Sequence, residues 1–89
     1  MIAEVSKSAD KDIEKLTEEA RAIVLGELKR LQIAKTLGSM GNVIKMKGKK
    51  RPAMYRLSID TYRIMIEKLD TYVVIRSVSH RKDAYKKKK

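Results

Sequence analysis

The side chains of this chain most able to do chemistry are guanidinium, imidazole and phenol groups, and they fall in its second half. Arg56 and Arg63 sit on two neighbouring segments of alternating polarity, and the chain later runs through His80-Arg81-Lys82-Asp83-Ala84-Tyr85. A guanidinium is a fixed cation whose planar donors match an oxyanion in bidentate fashion, and it cannot shuttle a proton. A histidine can, because its reference pKa of ~6.5 permits both protonation states near neutrality. A tyrosine can stack on a nucleobase, or donate its proton where nearby arginines lower its pKa. Lys45, Lys47, Lys49, Lys50 and Arg51 form a second basic stretch, and Lys82 joins the terminal one. The basic residues together point to phosphate binding, whereas a lone histidine is usually structural or merely exposed and Tyr85 could simply anchor the tail. Asp10, Asp12, Glu14, Glu18 and Glu19 read as charges at helix starts, and nothing suggests catalysis by paired carboxylates.

The charge balance supports an anionic partner. Through Ile33 the chain carries 6 Lys and Arg against 7 Asp and Glu; from Ala34 onward it carries 16 against 4, and the two parts make up the net +11. A phosphate backbone attracts such a surface, and the attraction weakens steeply with salt. With no cysteine and one histidine, neither a disulfide nor a protein-held catalytic metal is expected. No run of 18 apolar residues and no charged-then-apolar leader occurs, so the expectation is a soluble, cytoplasmic protein without a membrane partner.

Eighty-nine residues are expected to make a single domain with a thin core, residues 86–89 being a basic tail. Residues 2–6 predict a first strand. Ala9, Ile13, Leu16, Ala20, Val24, Leu28 and Leu31 then recur at helical spacing. One helix over 9–33 would run about 37 Å at ~1.5 Å per residue, too long for a domain whose radius of gyration should be roughly 12 Å. A break is therefore expected at Leu16-Thr17-Glu18-Glu19, with Thr17 as a new N-cap and Ser6 or Ser8 capping the first helix. Residues 34–42 read as a loop, 43–47 as extended, and 48–52 as a basic turn ending at Pro52.

The clearest strands follow. Alternation over 54–59 and 62–67, separated only by Asp60-Thr61, predicts a tight hairpin without the usual glycine. The β-branched run 72–79 predicts a third strand after the turn 69–71. The resulting fold class is α+β: an N-terminal strand, a helical hairpin, then a three-stranded antiparallel meander, forming one twisted sheet with helices on one face. If Tyr55, Leu57, Ile59, Tyr62, Ile64 and Ile66 face the helices, then Arg56, Ser58, Arg63, Met65 and Glu67 share an open face. On residue type alone, Arg56 and Arg63 could equally be solvated side chains of an exposed sheet.

Lys45-Met46-Lys47-Gly48-Lys49, Tyr55-Arg56-Leu57-Ser58-Ile59, Tyr62-Arg63-Ile64 and His80-Arg81-Lys82-Asp83-Ala84-Tyr85, taken in this order with the opening Val5-Ser6-Lys7-Ser8-Ala9-Asp10-Lys11-Asp12, resemble the RelE toxin group of the RelE/ParE superfamily. The resemblance spans nearly the whole chain. It implies the toxin of a toxin–antitoxin pair, a RelE-like endoribonuclease that cleaves messenger RNA in the ribosomal A site without metal or other cofactor. In that chemistry a 2′-hydroxyl attacks its own phosphodiester and leaves a cyclic phosphate. The resemblance also implies an acidic, RelB-like antitoxin as partner, with the chain a monomer alone and part of a hetero-oligomer with the antitoxin, and the ribosome and mRNA as its targets.

Carried over by position, Arg56 and Arg63 match basic residues of adjacent strands in that group, and Arg81 and Tyr85 match its C-terminal arginine and tyrosine. The resemblance thus assigns Arg56, Arg63, His80, Arg81 and Tyr85 to catalysis, and Lys45, Lys47, Lys49, Lys50, Arg51 and Lys82 to contact with RNA and the ribosome. The sequence departs from the group at Ser58, where a second basic residue is frequent, at Asp60-Thr61, where Gly-Asp is frequent, and at Ser79, where glycine is common. The missing basic residue leaves the general base unassigned, with His80 the best substitute, Lys45 or Lys47 the alternatives where cationic neighbours depress a lysine pKa, and Tyr85 a stacking residue or proton donor. Two alternatives belong to other functional classes: a ParE-like protein that poisons DNA gyrase without cutting RNA, and a basic RNA-binding module with no catalysis.

Overall fold

The computed structural model describes residues 1–47 and 52–82. Lys49, Lys50, Arg51, Tyr85 and the tail 86–89 lie outside the described residues. Along the chain come β1 (Ile2–Val5), α1 (Lys7–Glu14), α2 (Glu18–Ile33), a 3-10 turn (Gly38–Met40), β2 (Val43–Lys45), β3 (Ala53–Ile59), β4 (Tyr62–Lys68) and β5 (Tyr72–His80).

The helical stretch breaks where its sequence predicts. Ser6 caps α1 by accepting the Ala9 N–H at 3.1 Å, and Thr17 caps α2 by accepting the Ala20 N–H at 3.2 Å. The abrupt end of α1 leaves carbonyls without helical partners. Arg21, in the first turn of α2, reaches back to satisfy them, donating to the carbonyls of Ile13, Glu14 and Leu16 at 3.4, 3.1 and 3.1 Å. One side chain thereby fastens the helical hairpin.

The strands form a single sheet in the order β1-β5-β4-β3-β2, with β1 parallel to β5 and the other neighbours antiparallel. The sheet is therefore α+β with five strands. The fifth is the short β2, whose Val43 and Ile44 lie against Leu57 and Arg56 at the edge of β3. Both helices cover one face. Ala9, Ile13, Val24, Leu28 and Leu31 from the helices meet Leu57, Ile64, Ile66, Val73, Ile75 and Val78 from the strands, and Tyr55, Ile59 and Tyr62 pack on the margin of that core.

Three local features decide where side chains point. The β3–β4 turn pairs Ile59 with Tyr62 and puts Asp60 at φ 55°, a left-handed conformation that aspartate tolerates better than most residues. On β5, Met65 faces Ser77 but Ile66 faces Ile75, so Arg76 is an extra residue and the strand carries a β-bulge. The bulge reverses the alternation: the buried residues run Val73, Ile75, then Val78. Finally, Asp12 is not a helix-start charge as its position suggested. Its carboxylate accepts the Val78 N–H at 2.9 Å, beyond the point where the β1–β5 pairing ends at Val5 and Ile75, because α1 lies over that edge of the strand.

Candidate functional site

On the face of the sheet away from the helices, cross-strand pairing sets out two rows. One row runs Ile44–Arg56–Met65–Ser77 and the next runs Ser58–Arg63–Ser79. Arg56 and Arg63 are thus diagonal neighbours on adjacent strands, a relation that brings two residues to about 7–8 Å, within reach of long side chains. Both are half-buried at their stems. Arg63 steadies itself by donating from its guanidinium to the Tyr62 carbonyl at 3.0 Å. Arg56 carries a buried Nε with no hydrogen-bond partner among the described residues. A buried donor left in that state costs on the order of 1–3 kcal/mol.

Arg76, which follows Ile75 onto this side as the extra residue of the bulge, makes an ion pair with Glu67 at 3.6 Å. Sequence reasoning missed it, since regular alternation from Val73 and Ile75 gives Arg76 no special place. The available signal was the step of three between Ile75 and Val78 in an otherwise two-residue apolar period.

The bulge also separates His80 from the arginines. Had β5 alternated without interruption, His80 would share the face of Arg56 and Arg63. Instead His80 pairs with Tyr62, whose ring it meets edge-on at 5.7 Å on the helix side of the sheet, and its Nδ1 accepts the Lys82 N–H at 3.2 Å. Lys45 pairs with Tyr55 and likewise belongs to the helix-side alternation, at the exposed β2 edge. Lys47 continues from β2 toward the start of β3, the far end of the sheet from Ser58. Arg81 and Lys82 are exposed just past β5, where the Arg81 N–H donates to the Thr61 carbonyl at 2.7 Å in the β3–β4 turn. Of the candidates within the described residues, the fold brings Arg56 and Arg63 onto one face and sets Arg81 and Lys82 at the turn end beside them. His80 lies at the same turn end but on the helix side, and Lys45 and Lys47 lie along the β2 edge.

Behind Ser58 is a polar cluster that the sequence did not disclose. Glu27 of α2, only 6% exposed, accepts from the Arg30 fork at 3.2 and 3.0 Å and from the Asn42 amide at 2.8 Å. Burial pushes the Glu27 carboxyl up, the bonds from Arg30 and Asn42 pull it down, and the net result lies below its ordinary value; the same contact raises Arg30. Asn42 in turn holds the Ser58 backbone on both sides, donating to its carbonyl at 2.9 Å and accepting its N–H at 3.0 Å. A cavity of about 240 Å³ bordered by Met1, Lys35, Lys68 and Tyr72 lies at the opposite end of the sheet from Ser58 and Arg63.

No family model matches the sequence, and no curated protein matches it. Solved structures do resemble the fold. A chain of the RelB-RelE antitoxin-toxin complex from Methanococcus jannaschii superposes with a TM-score of 0.78 at 24% identity, over 97% of this chain and 99% of that one. A chain of the archaeal RelE-RelB complex from Pyrococcus horikoshii gives 0.72 at 20% identity over 90% and 93%, and one of a RelBE toxin-antitoxin complex from Mycobacterium tuberculosis gives 0.61 at 24% over 90% and 96%. The fold of this chain is RelE-like.

Proposed function

We propose that this protein is the toxin of a toxin–antitoxin pair and that it cleaves messenger RNA in the ribosomal A site. The observation that carries the reading is the placement of Arg56 and Arg63 as diagonal neighbours on the open face of a RelE-like sheet, in the half of the chain that holds its positive charge. Transesterification needs a cation against the phosphorane, a base for the 2′-hydroxyl and an acid for the departing 5′-oxygen. The 2′-oxygen bonds to phosphorus, the bond from phosphorus to the 5′-oxygen breaks, and the products are a cyclic phosphate and a 5′-hydroxyl. Arg56 and Arg63 bear on the non-bridging oxygens, and Arg81 adds a third cation from the turn end.

Ser58 supplies no basic group, so the proton transfers fall to His80 and Tyr85. For His80 to serve, the scissile linkage must sit at the turn end of the sheet, by Asp60 and Thr61, where the two faces meet. Lys82, with Lys45, Lys47, Lys49, Lys50 and Arg51, holds RNA and the ribosome. The solved relatives are complexes of RelE with RelB, and a +11 chain suits an acidic segment that folds on binding.

Induction in a sensitive bacterium, read by primer extension, should show cuts within A-site codons, lost in Arg63→Ala while ribosome affinity largely persists. Intact messages and normal growth with folded protein would count against the reading. One observation favours a gyrase-poisoning alternative: among the described residues, no imidazole or lysine pairs onto the face of Arg56 and Arg63. Toxicity with uncut mRNA and inhibited gyrase supercoiling would select that alternative.

A further inference from the structure

We propose that Asn42, oriented by the Glu27 carboxylate, is a positioning residue that fixes the turn end of β3 so that Arg56 and Arg63 meet the same phosphate. The inference rests on the ribonuclease reading above and adds residues to it that lie outside the basic set.

β2 pairs with β3 only from Val43 opposite Leu57 to Lys45 opposite Tyr55. At Ser58 the edge of β3 has lost its strand partner, although this residue stands directly across from Arg63. Because the Ser58 N–H and C=O both turn toward Asn42, the Ser58–Arg63 pair exchanges no ladder bonds, which is the closer of the two antiparallel spacings. Asn42 replaces the missing strand with its own backbone carbonyl and its side-chain amide.

That amide has no freedom to turn. One Nδ2 hydrogen goes to the Ser58 carbonyl and the other to Glu27 Oε2, while Oδ1 accepts from Arg30 at 2.9 Å. Arg30 further donates to the Met40 carbonyl at 3.2 Å, tying the 3-10 turn to the same cluster. Every polar atom of the Asn42 side chain is therefore committed, and the chain of bonds runs from α2 through the loop to the strand.

Stability alone gives little reason for this arrangement. Glu27 is the buried charged residue among the described residues, and buried ionic groups commonly stabilise no more than apolar side chains of the same volume. Their benefit is a single fixed geometry. Here the fixed element is the backbone between Arg56 and the Asp60 turn, and phosphoryl chemistry is sensitive to misplacement of that order: a shift of about 1 Å can cost 100-fold.

The test is steady-state cleavage on programmed ribosomes by wild type, Asn42→Ala, Glu27→Gln and Ile13→Val. Ile13 lies in the core beneath α1, away from the cluster, and provides a comparison of lowered Tm without a disturbed latch. Asn42→Ala should lower kcat about 10- to 100-fold with KM within twofold, and Glu27→Gln should lower it by a smaller factor. Ser58 amide exchange should accelerate in both, with Ile64 and Ile75 amides unchanged, and Ile13→Val should keep wild-type kcat well below its Tm. If Asn42→Ala does not fold, Glu27→Gln decides by the same two readouts. Wild-type kcat in the latch variants, or an equal loss in Ile13→Val, overturns the positioning role while Arg63→Ala still reports the ribonuclease. A wild-type protein that cuts nothing overturns both.

Discussion

Glu27 illustrates at single-residue scale how a thin core accommodates charge. Its carboxylate is out of water, yet the Arg30 fork and the Asn42 amide occupy its acceptor sites, so the charged form is favoured over the neutral one. The direction of that shift fixes a pH dependence. The folded-state pKa lies below the ordinary 4.5, so the unfolded chain takes up its proton first as pH falls. The group's contribution is complete above about pH 4.5 and disappears as pH drops through the folded value. Glu27→Gln should therefore cost about 1–3 kcal/mol at pH 7, with a smaller cost at pH 3, as measured by urea unfolding at both pH values. A cost that grows toward low pH would mean that burial outweighs the donors and that the sign is reversed.

Among the secondary-structure elements, those dictated by short-range chemistry were legible in the sequence. The helical period broke at Leu16-Thr17 because a serine or threonine cap followed by carboxylates is a local signal, and Thr17 does accept the Ala20 N–H. The strands of the meander declared themselves by alternation, and so did the open face that holds Arg56, Ser58, Arg63 and Met65. What was not legible depended on partners distant in sequence. The parallel pairing of β1 with β5, the service of Asp12 to Val78 and the latch from Glu27 to Ser58 join residues whose separation leaves no periodic trace. The bulge had the largest consequence, since one extra residue decides which face His80 joins. Deleting Arg76 should remove it and leave the pairing intact, because Ile75, Ser77 and Val78 would then alternate regularly opposite Ile66, Met65 and Ile64. The deletion should therefore cost only about 1 kcal/mol, since Val78 keeps its place in the core. Arg76→Ala, which retains the bulge and removes only a half-exposed ion pair with Glu67, should cost no more than about 1 kcal/mol. Denaturant midpoints of the two variants should lie close together, and a collapse of the deletion alone would mean that the bulge itself holds β5 in register.

Taken as a whole, the molecule is electrically divided, with its acidic residues concentrated in the stretch through α2 and the surplus of lysine and arginine downstream. Such a division predicts binding that is long-ranged and strongly salt-dependent, in contrast to the short-range selectivity of the arginine rows. For single-stranded RNA, log affinity should fall linearly with log salt concentration, with a slope of about −0.7 for each phosphate neutralised. Engagement of three to five phosphates by the basic half would give a slope of roughly −2 to −3.5. Arg63→Ala should make that slope shallower by about 0.7, whereas Lys7→Ala, in the acidic part of the chain on α1, should leave it unchanged. Fluorescence anisotropy with a short unstructured RNA over 50–300 mM salt, about the range in which counterion release dominates, measures all three slopes. If Arg63→Ala weakened binding at every salt concentration by the same factor without altering the slope, Arg63 would not be meeting a phosphate. Its role would then be structural, and the open face would lose one of the two cations that give it a chemical purpose.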